Sequence, residues 1–370
     1  MSAPSTRQRR HSRAGLLWAL GLFLCGQVLF LLTMDQLLPE LRNPEYGLRL
    51  RKLRARLAEH AVDQPKMLVM GTSRVAVGFR PEVLQKGGRG SFVEPVVFNF
   101  GVFGSGPLLQ LMCLHRLLND GIKPETILFE IWPPTWCMEP MAIENLRLAQ
   151  ETPFNLTWMR WQDLGLLERY CVRSRSIYRR WYKMQLTPCS SYRFSFLSQY
   201  APCWSDRVRR EEITWRGMDD LGWVKAADYQ LTPDKEILET LKEYMRSIFQ
   251  PMLTNLDLSE VSRQATREFL SLCQERGIRV HLLLMPEESQ FRSWYSKKAL
   301  TIADGFIEEL SREFNISVID ARAWSPDDDF ADCAHLTHDG ASAFSLRLGR
   351  EAILPLLEEG ALVARLPIHQ

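Results

Sequence analysis

The sequence has almost no net charge: 46 Lys and Arg residues face 44 Asp and Glu residues, which leaves a formal charge of +2. A near-neutral chain lacks the basic footprint of a nucleic-acid-binding protein, so no nucleic-acid partner is expected. The chain also lacks a fixed-period repeat, a GxxxxGK[ST] motif and a GxGxxG motif, which argues against a solenoid, a P-loop and a dinucleotide site. Its 370 residues, 46% of them hydrophobic, suffice for one large or two modest domains.

The eight cysteines contain no CxxC pair, so they give no signature of a zinc or redox site. Four of them, Cys137, Cys171, Cys189 and Cys203, lie in one region of the chain. Disulfide bonds in an oxidising compartment and buried free thiols are equally consistent with this distribution.

An uncharged apolar segment, Ala14 to Met34, stands near the N-terminus. It is long enough to cross the roughly 30 Å hydrocarbon core of a bilayer and longer than the apolar region of a cleaved signal peptide. We therefore expect an uncleaved transmembrane anchor. Lipoprotein processing at Cys25 is a weaker alternative, because Leu24 is bulky and the apolar run continues beyond the cysteine.

Charges close to the apolar segment predict its orientation. Residues 1–13 carry four arginines, whereas Asp35 and Glu40 follow the segment directly, although basic residues return from Arg42 onward. The positive-inside rule then leaves the N-terminus in the cytoplasm. The main part of the chain is expected outside the cytoplasm, in a periplasm or at the cell surface, on a single-pass anchor.

The remainder alternates short apolar runs with helical periodicity, which is typical of a parallel α/β sheet. Five strands are predicted, at residues 67–70, 95–98, 126–131, 280–284 and 316–320, and helices are predicted at 107–119, 259–276, 297–314 and 340–359. The expected organisation is a cytoplasmic tail (1–13), an anchor (14–34), a juxtamembrane helical stretch (35–62), a core in two parts (63–137 and 251–370) and an insert (138–250).

The insert holds much of the tryptophan and is predicted to be helical. Its basic residues are interleaved with aromatic ones around Tyr178, Trp181 and Tyr182, and they are Arg173, Arg175, Arg179, Arg180 and Lys183. A solvated helix face with its aromatic side chains turned inward is the simpler interpretation. Alternatively, guanidinium groups and aromatic rings bind an anionic glycan or a lipid head group.

Two of the predicted strands run into segments suited to chemistry, because ligands of open parallel sheets gather at the carboxyl ends of the strands. After the first strand, Gly71 permits a tight turn that would raise the Ser73 hydroxyl above the sheet edge. After the second strand comes the glycine-rich segment that starts at Asn99 and includes Gly101. Taken alone, that segment is equally an ordinary connection.

The fifth strand is followed by Asp332 and His335. A carboxylate three residues before a histidine can orient the imidazole and stabilise it once it takes a proton from a serine. A metal site built from Asp332, His335 and His338 is a weaker alternative, because no matching second cluster follows another strand. Arg74, Glu130 and His338 are as well explained by salt bridges or helix caps and receive no chemical role.

These blocks together resemble the SGNH (GDSL-like) hydrolase superfamily. The resemblance implies a flavodoxin-like doubly wound parallel sheet, with Ser73 as nucleophile and with Asp332 and His335 as its partners. It also implies that Gly101 contributes to the oxyanion hole. We expect this hole to be formed by the Ser73 and Gly101 amides, with the Asn99 side chain as a further donor. The N-terminal anchor resembles the extracytoplasmic branch that includes the D-alanyl transfer protein of teichoic acid synthesis and polysaccharide O-acetylation proteins.

Two departures from the family pattern are evident. Thr72 replaces the usual aspartate before the nucleophile, which is tolerable because that side chain is not the nucleophile. No oxyanion asparagine follows the third strand, where the sequence continues from Glu130 into Trp132 and two prolines. Loss of one oxyanion donor typically lowers the rate about 100 to 1000-fold.

The sequence therefore predicts a serine-dependent esterase or O-acyltransferase that acts on acyl groups of a cell-surface glycan or another ester through an acyl-serine. A membrane-bound O-acyltransferase is the expected protein partner, and neither a metal nor an organic cofactor is required. The alternative is a non-catalytic accessory protein of the same fold that binds a glycan or such a membrane partner.

Overall fold

The computed structural model describes residues 6–59, 66–87, 96–137, 156–170, 174–204, 216–225 and 235–357. The helices before the third strand are α1 (Thr6–Gln36), α2 (Pro39–Arg42), α3 (Pro44–Ala58), α4 (Ser73–Gly78), α5 (Glu82–Gly87) and α6 (Pro107–Asn119). The later helices are α7 (Pro133–Cys137), α8 (Trp161–Tyr170), α9 (Ser174–Leu186), α10 (Pro188–Ser191), α11 (Arg193–Tyr200), α12 (Lys235–Thr254), α13 (Glu260–Glu275), α14 (Ser289–Ser293), α15 (Lys297–Phe314) and α16 (His338–Leu348).

The five strands are β1 (Lys66–Gly71), β2 (Val96–Gly101), β3 (Thr126–Glu130), β4 (Arg279–Leu284) and β5 (Val318–Asp320). They form one parallel sheet in the order β2-β1-β3-β4-β5. This is the flavodoxin-like order, and the predicted fold class is confirmed. In that order the chain changes direction across the sheet at β1, so the carboxyl end of β1 is the position where ligands are expected to bind.

The chain divides into two compact units, one made of residues 1–48 and 156–211 and the other of residues 49–155 and 212–370. The second unit contains the whole sheet. Strands β1, β2 and β3 are buried almost throughout, as continuous apolar runs covered on both faces require. On one face Met67, Val69 and Leu283 pack against Phe344 and Leu348 of α16.

The first unit contains α1 and the helices α8 to α11. In its interior, the carbonyl of Met159 accepts two hydrogen bonds, from Arg42 Nη2 at 2.8 Å and from Trp181 Nε1 at 2.9 Å. Within α1 the segment Arg13–Met34 is long and apolar enough to cross a membrane, and it is the one such helix in the described part of the chain.

None of the seven cysteines in the described ranges forms a disulfide bond. Cys137, Cys189 and Cys203 therefore form no disulfide with one another, whereas Cys171 lies outside those ranges. Of the basic residues of the insert, Arg173 also lies outside them.

Candidate active site

The turn after β1 places Ser73 at the carboxyl edge of the sheet, as the first residue of α4. Thr72 caps this helix, because its hydroxyl accepts the backbone N–H of Arg74 at 3.1 Å. The turn is packed so tightly that a Cβ on Gly71 would lie 2.4 Å from Glu130 Oε2. Glycine is thus required at this position, and the partly exposed hydroxyl of Ser73 is directed out of the sheet edge.

The segment after β5 brings a histidine and an aspartate to the same serine. His335 Nε2 lies 2.9 Å from Ser73 Oγ, and His335 Nδ1 lies 2.8 Å from Asp332 Oδ2. The segment is closed on itself, because the N–H of Ala331 donates to the carbonyl of His335 at 2.9 Å. Serine, histidine and aspartate, 262 positions apart at their widest, therefore form one continuous chain of hydrogen bonds.

The environment of Asp332 favours its charged form. Burial by itself would raise its pKa, but the His335 imidazole and the backbone N–H groups of Ala334 and His335, each 2.7 Å from Oδ1, hold the pKa below its usual value. An ionised Asp332 accepts the Nδ1 proton of His335, which leaves Nε2 as an acceptor for the Ser73 hydroxyl. This is the protonation state that activates a serine.

The expected donors Asn99 and Gly101 are placed differently from the prediction. The Asn99 side chain is fully buried, and its Nδ2 donates to the carbonyls of Val75 at 2.8 Å and Phe79 at 2.6 Å. Its Oδ1 accepts the N–H of Gly101 at 2.9 Å. Both groups therefore hold α4 against β2 and are not directed at a substrate oxygen.

Gly101 nevertheless has a clear role in building the site. A Cβ on this residue would lie 2.3 Å from the backbone N of Ala76 and 2.8 Å from the carbonyl oxygen of Thr72. The absence of a side chain lets the first turn of α4, which carries Ser73, lie directly on β2. The glycine matters for the close approach of two backbones.

A buried arginine beside the nucleophile was not assigned a role from the sequence. The side chain of Arg74 is 1% exposed, and it lies 3.5 Å from Glu130 Oε1 and 3.8 Å from Glu287 Oε1. Its guanidinium donates to three carbonyls, those of Ala334 at 3.3 Å, Met285 at 2.9 Å and Pro286 at 2.7 Å. We call Arg74, Glu130 and Glu287 the Arg74 network.

The Arg74 network connects the turn after β1 to the other elements of the site. Glu130, at the end of β3, also accepts the N–H of Thr72 at 2.6 Å. Ala334 stands directly before His335, so the bond to its carbonyl fixes the segment that carries the histidine. Burial raises the pKa of Glu287, an effect that the Arg74 charge opposes.

The alternative metal site is not supported by this geometry. The ring of His338 packs edge-on against Trp223, with 5.2 Å between ring centroids. Within the ranges that the structure describes, no group of three His, Cys, Asp or Glu side chains is placed to hold a metal ion.

Comparison with known proteins places the chain in a family. Residues 49–341 match the DUF1574 family, described as a protein of unknown function, and the chain belongs to it. Curated proteins include no match. Among solved structures, a predicted acylhydrolase from Bacteroides fragilis is similar, with a TM-score of 0.37 and 10% identity over 83% of this chain and 96% of that one. A likeness this distant carries no argument about the reaction.

Proposed function

We propose that the protein is a membrane-anchored serine esterase or O-acyltransferase. The observation that carries the proposal is the hydrogen-bonded series from Ser73 Oγ through His335 to Asp332 Oδ2, with steps of 2.9 and 2.8 Å. Nucleophile and base within hydrogen-bond reach, with the base oriented by a third group, is the arrangement that acyl transfer needs. The resemblance to SGNH hydrolases adds support.

In the proposed reaction, Ser73 Oγ attacks an ester carbonyl while His335 Nε2 takes the hydroxyl proton. Asp332 stabilises the imidazolium that results. Collapse of the tetrahedral intermediate breaks the bond to the leaving alcohol, which receives the proton from His335, and an acyl-serine remains. Water then gives a carboxylic acid, whereas a sugar hydroxyl gives a new ester, with His335 again moving the proton.

The oxyanion would be stabilised by fewer donors than is usual. The backbone N–H of Ser73 is the first of α4 and has no carbonyl of that helix within reach, so it is available. Since the Asn99 and Gly101 groups are used inside the fold, we expect slow turnover. We propose an acylated cell-surface glycan as the substrate, extracytoplasmic placement, and a membrane-bound O-acyltransferase as partner.

Covalent labelling tests the proposal. The full chain in detergent micelles is treated with a fluorophosphonate, and intact mass counts the adducts. We expect one adduct on the native chain and on a Ser247→Ala control, and none on Ser73→Ala or His335→Ala. Hydrolysis of p-nitrophenyl acetate should follow the same order.

The scarcity of oxyanion donors favours a second candidate, an accessory protein that keeps the fold without catalysis. This candidate predicts that no adduct forms on a folded chain with a sharp thermal transition. That result would remove the esterase proposal.

A further inference from the structure

The turn between α9 and α11 lies beside the apolar segment of α1, within the first unit. Gln27 Nε2 is 3.8 Å from Cys189 Sγ of α10. The covered residues of α1 include Gln27, Phe30, Leu31 and Met34, whereas Val28, Leu29 and Leu32 are exposed. Spacings of three, four and seven residues define one helix face, and α10 contacts α1 on this face at Gln27.

The position of this contact along α1 gives its depth. Gln27 stands seven residues before Met34, the last residue of the apolar segment. At about 1.5 Å of rise per residue, the contact lies roughly 10 Å inside that segment. If the segment crosses a hydrocarbon core of about 30 Å, α10 lies within the core and not at its surface.

Two hydroxyl groups of the turn donate to backbone carbonyls within it, as an apolar environment favours. Thr187 Oγ1 donates to the carbonyl of Lys183 at 3.3 Å, and Ser191 Oγ donates to that of Met184 at 3.0 Å. Leu186, directly before Thr187, is 66% exposed. A large apolar side chain is therefore presented outward at the depth where lipid tails would lie.

The flanks of the turn have the composition of a membrane interface. α11 packs against α2, which follows the apolar segment. Exposed aromatic side chains lie on α8, α9, α11 and the turn after α11, namely Trp161, Tyr182, Phe196, Tyr200 and Trp204. Exposed cations of α9 and α11 include Arg179, Lys183 and Arg193. Aromatic rings favour the head-group level, and long basic side chains reach anionic phosphates.

We propose that the hairpin α9–α11, residues 174–200, inserts its turn into the bilayer beside α1, with its basic and aromatic flanks among anionic lipid head groups. The inference rests on the membrane-anchoring part of the proposed function. It makes the first unit a two-part membrane attachment, because the helical hairpin adds buried apolar surface to that of the single span.

Lipid-borne quenching tests this proposal on the full chain. In a background with Cys25, Cys137, Cys171, Cys189 and Cys203 replaced by serine, one reporter thiol is introduced by Leu186→Cys. The matched control is Leu346→Cys, on an exposed leucine of α16, and Leu24→Cys reports on the anchor itself. Each variant is labelled with an environment-sensitive NBD dye and reconstituted in phosphatidylcholine–phosphatidylglycerol vesicles, with or without nitroxide on the acyl chains.

We expect blue-shifted emission and loss of intensity to acyl-chain nitroxide for the labels at positions 186 and 24, and neither effect at position 346. A label at 186 that behaves like the one at 346 would overturn the proposal. So would protection of Leu186→Cys from a charged thiol reagent without lipid quenching, because a second protein surface would then cover it. An unquenched label at 24 would refute the anchor as well, and fluorophosphonate labelling of the same samples reports separately on Ser73.

Discussion

Replacing Arg74 with methionine removes the cation that lies within 4 Å of two buried carboxylates, those of Glu130 and Glu287. The side chains of Glu130 and Glu287 are 0% and 1% exposed, so water cannot take over the role of the guanidinium. Breaking a buried ion pair by removing one partner typically costs about 3–5 kcal/mol, because the remaining charge stays buried. Methionine keeps much of the apolar stem, so the loss reports on charge and hydrogen bonds more than on a cavity.

We therefore expect Arg74→Met to lower the free energy of unfolding by about 3–5 kcal/mol. At about 2–4 °C per kcal/mol for a unit of this size, the thermal midpoint falls by roughly 6 to 20 °C. The extent of fluorophosphonate labelling should fall even at temperatures below the thermal midpoint. The reason is that the 3.3 Å bond to the Ala334 carbonyl no longer fixes the segment that carries His335.

The pH dependence of that loss gives a sharper test. Burial raises the pKa of Glu287 and the Arg74 charge opposes this rise, so in Arg74→Met the pKa of Glu287 rises further. When the pKa of a carboxyl is higher in the folded than in the unfolded protein, the free energy of unfolding decreases as the pH rises from the unfolded to the folded pKa. The variant should be closer to wild type at pH 5 than at pH 8.

Denaturant unfolding at both pH values measures these effects, with Glu287→Gln as the partner variant. Glutamine keeps the Oε1 acceptor for Tyr295, whose hydroxyl lies 3.1 Å away. The double variant should recover part of the loss, with a coupling of about 0.5–3 kcal/mol. Strict additivity, or a loss below about 1 kcal/mol at pH 8, would refute the ion-pair reasoning.

Three further outcomes follow from the same contacts. Asp332→Asn should lower the rate of p-nitrophenyl acetate hydrolysis about 10⁴-fold, because the amide favours the wrong His335 tautomer; a loss below tenfold would contradict the proposed role. Gly101→Ala should destabilise the fold by about 1–3 kcal/mol in denaturant titrations, because the added Cβ would overlap the backbone of Ala76. The control Gly305→Ala, whose Cβ meets no atom within 4 Å, should leave the stability unchanged. Burial raises the pKa of Asp219 from 3.8 to about 6, so native stability should fall by up to about 3 kcal/mol from pH 4 to 6. Asp219→Asn keeps an acceptor for two backbone N–H groups, and its thermal midpoint should therefore change less over this pH range. If the thermal midpoint of the variant depends on pH as steeply as that of the wild type, the assignment to Asp219 is wrong.

The sheet could be predicted from the sequence because each strand is a continuous apolar run bounded by polar or glycine residues. The predicted strand 126–131 coincides with β3, for example, and 280–284 with β4, each within one residue at either end. The pairing of Asp332 with His335 could be predicted for a similar reason. Three residues of separation is a local constraint, and the chain between them needs only a tight turn.

The contacts that support the site could not be predicted from the sequence, because the residues that form them are distant from one another along the chain. Asn99 donates to carbonyls 20 and 24 positions away, and Arg74 donates to carbonyls more than 200 positions away. A side-chain amide after a strand has the same appearance in a sequence whether it faces a substrate or a helix backbone. Only the approach of α4 to β2, which Gly101 permits, decides between the two.

The end of β3 explains how this site differs from the SGNH pattern that the sequence resembles. Where that pattern places an oxyanion asparagine, this chain has Glu130, which accepts the N–H of Thr72 at 2.6 Å and pairs with Arg74. A carboxylate cannot donate to an oxyanion, and its charge would repel one. The position therefore serves to hold the turn that carries Ser73. In the proposed reaction, stabilisation of the oxyanion would be left to backbone N–H groups. An asparagine at position 130 would carry an amide donor, but it would leave Arg74 with one fewer counter-charge in a buried network. We thus expect Glu130→Asn to lower both stability and labelling, although it restores the residue type of the family pattern.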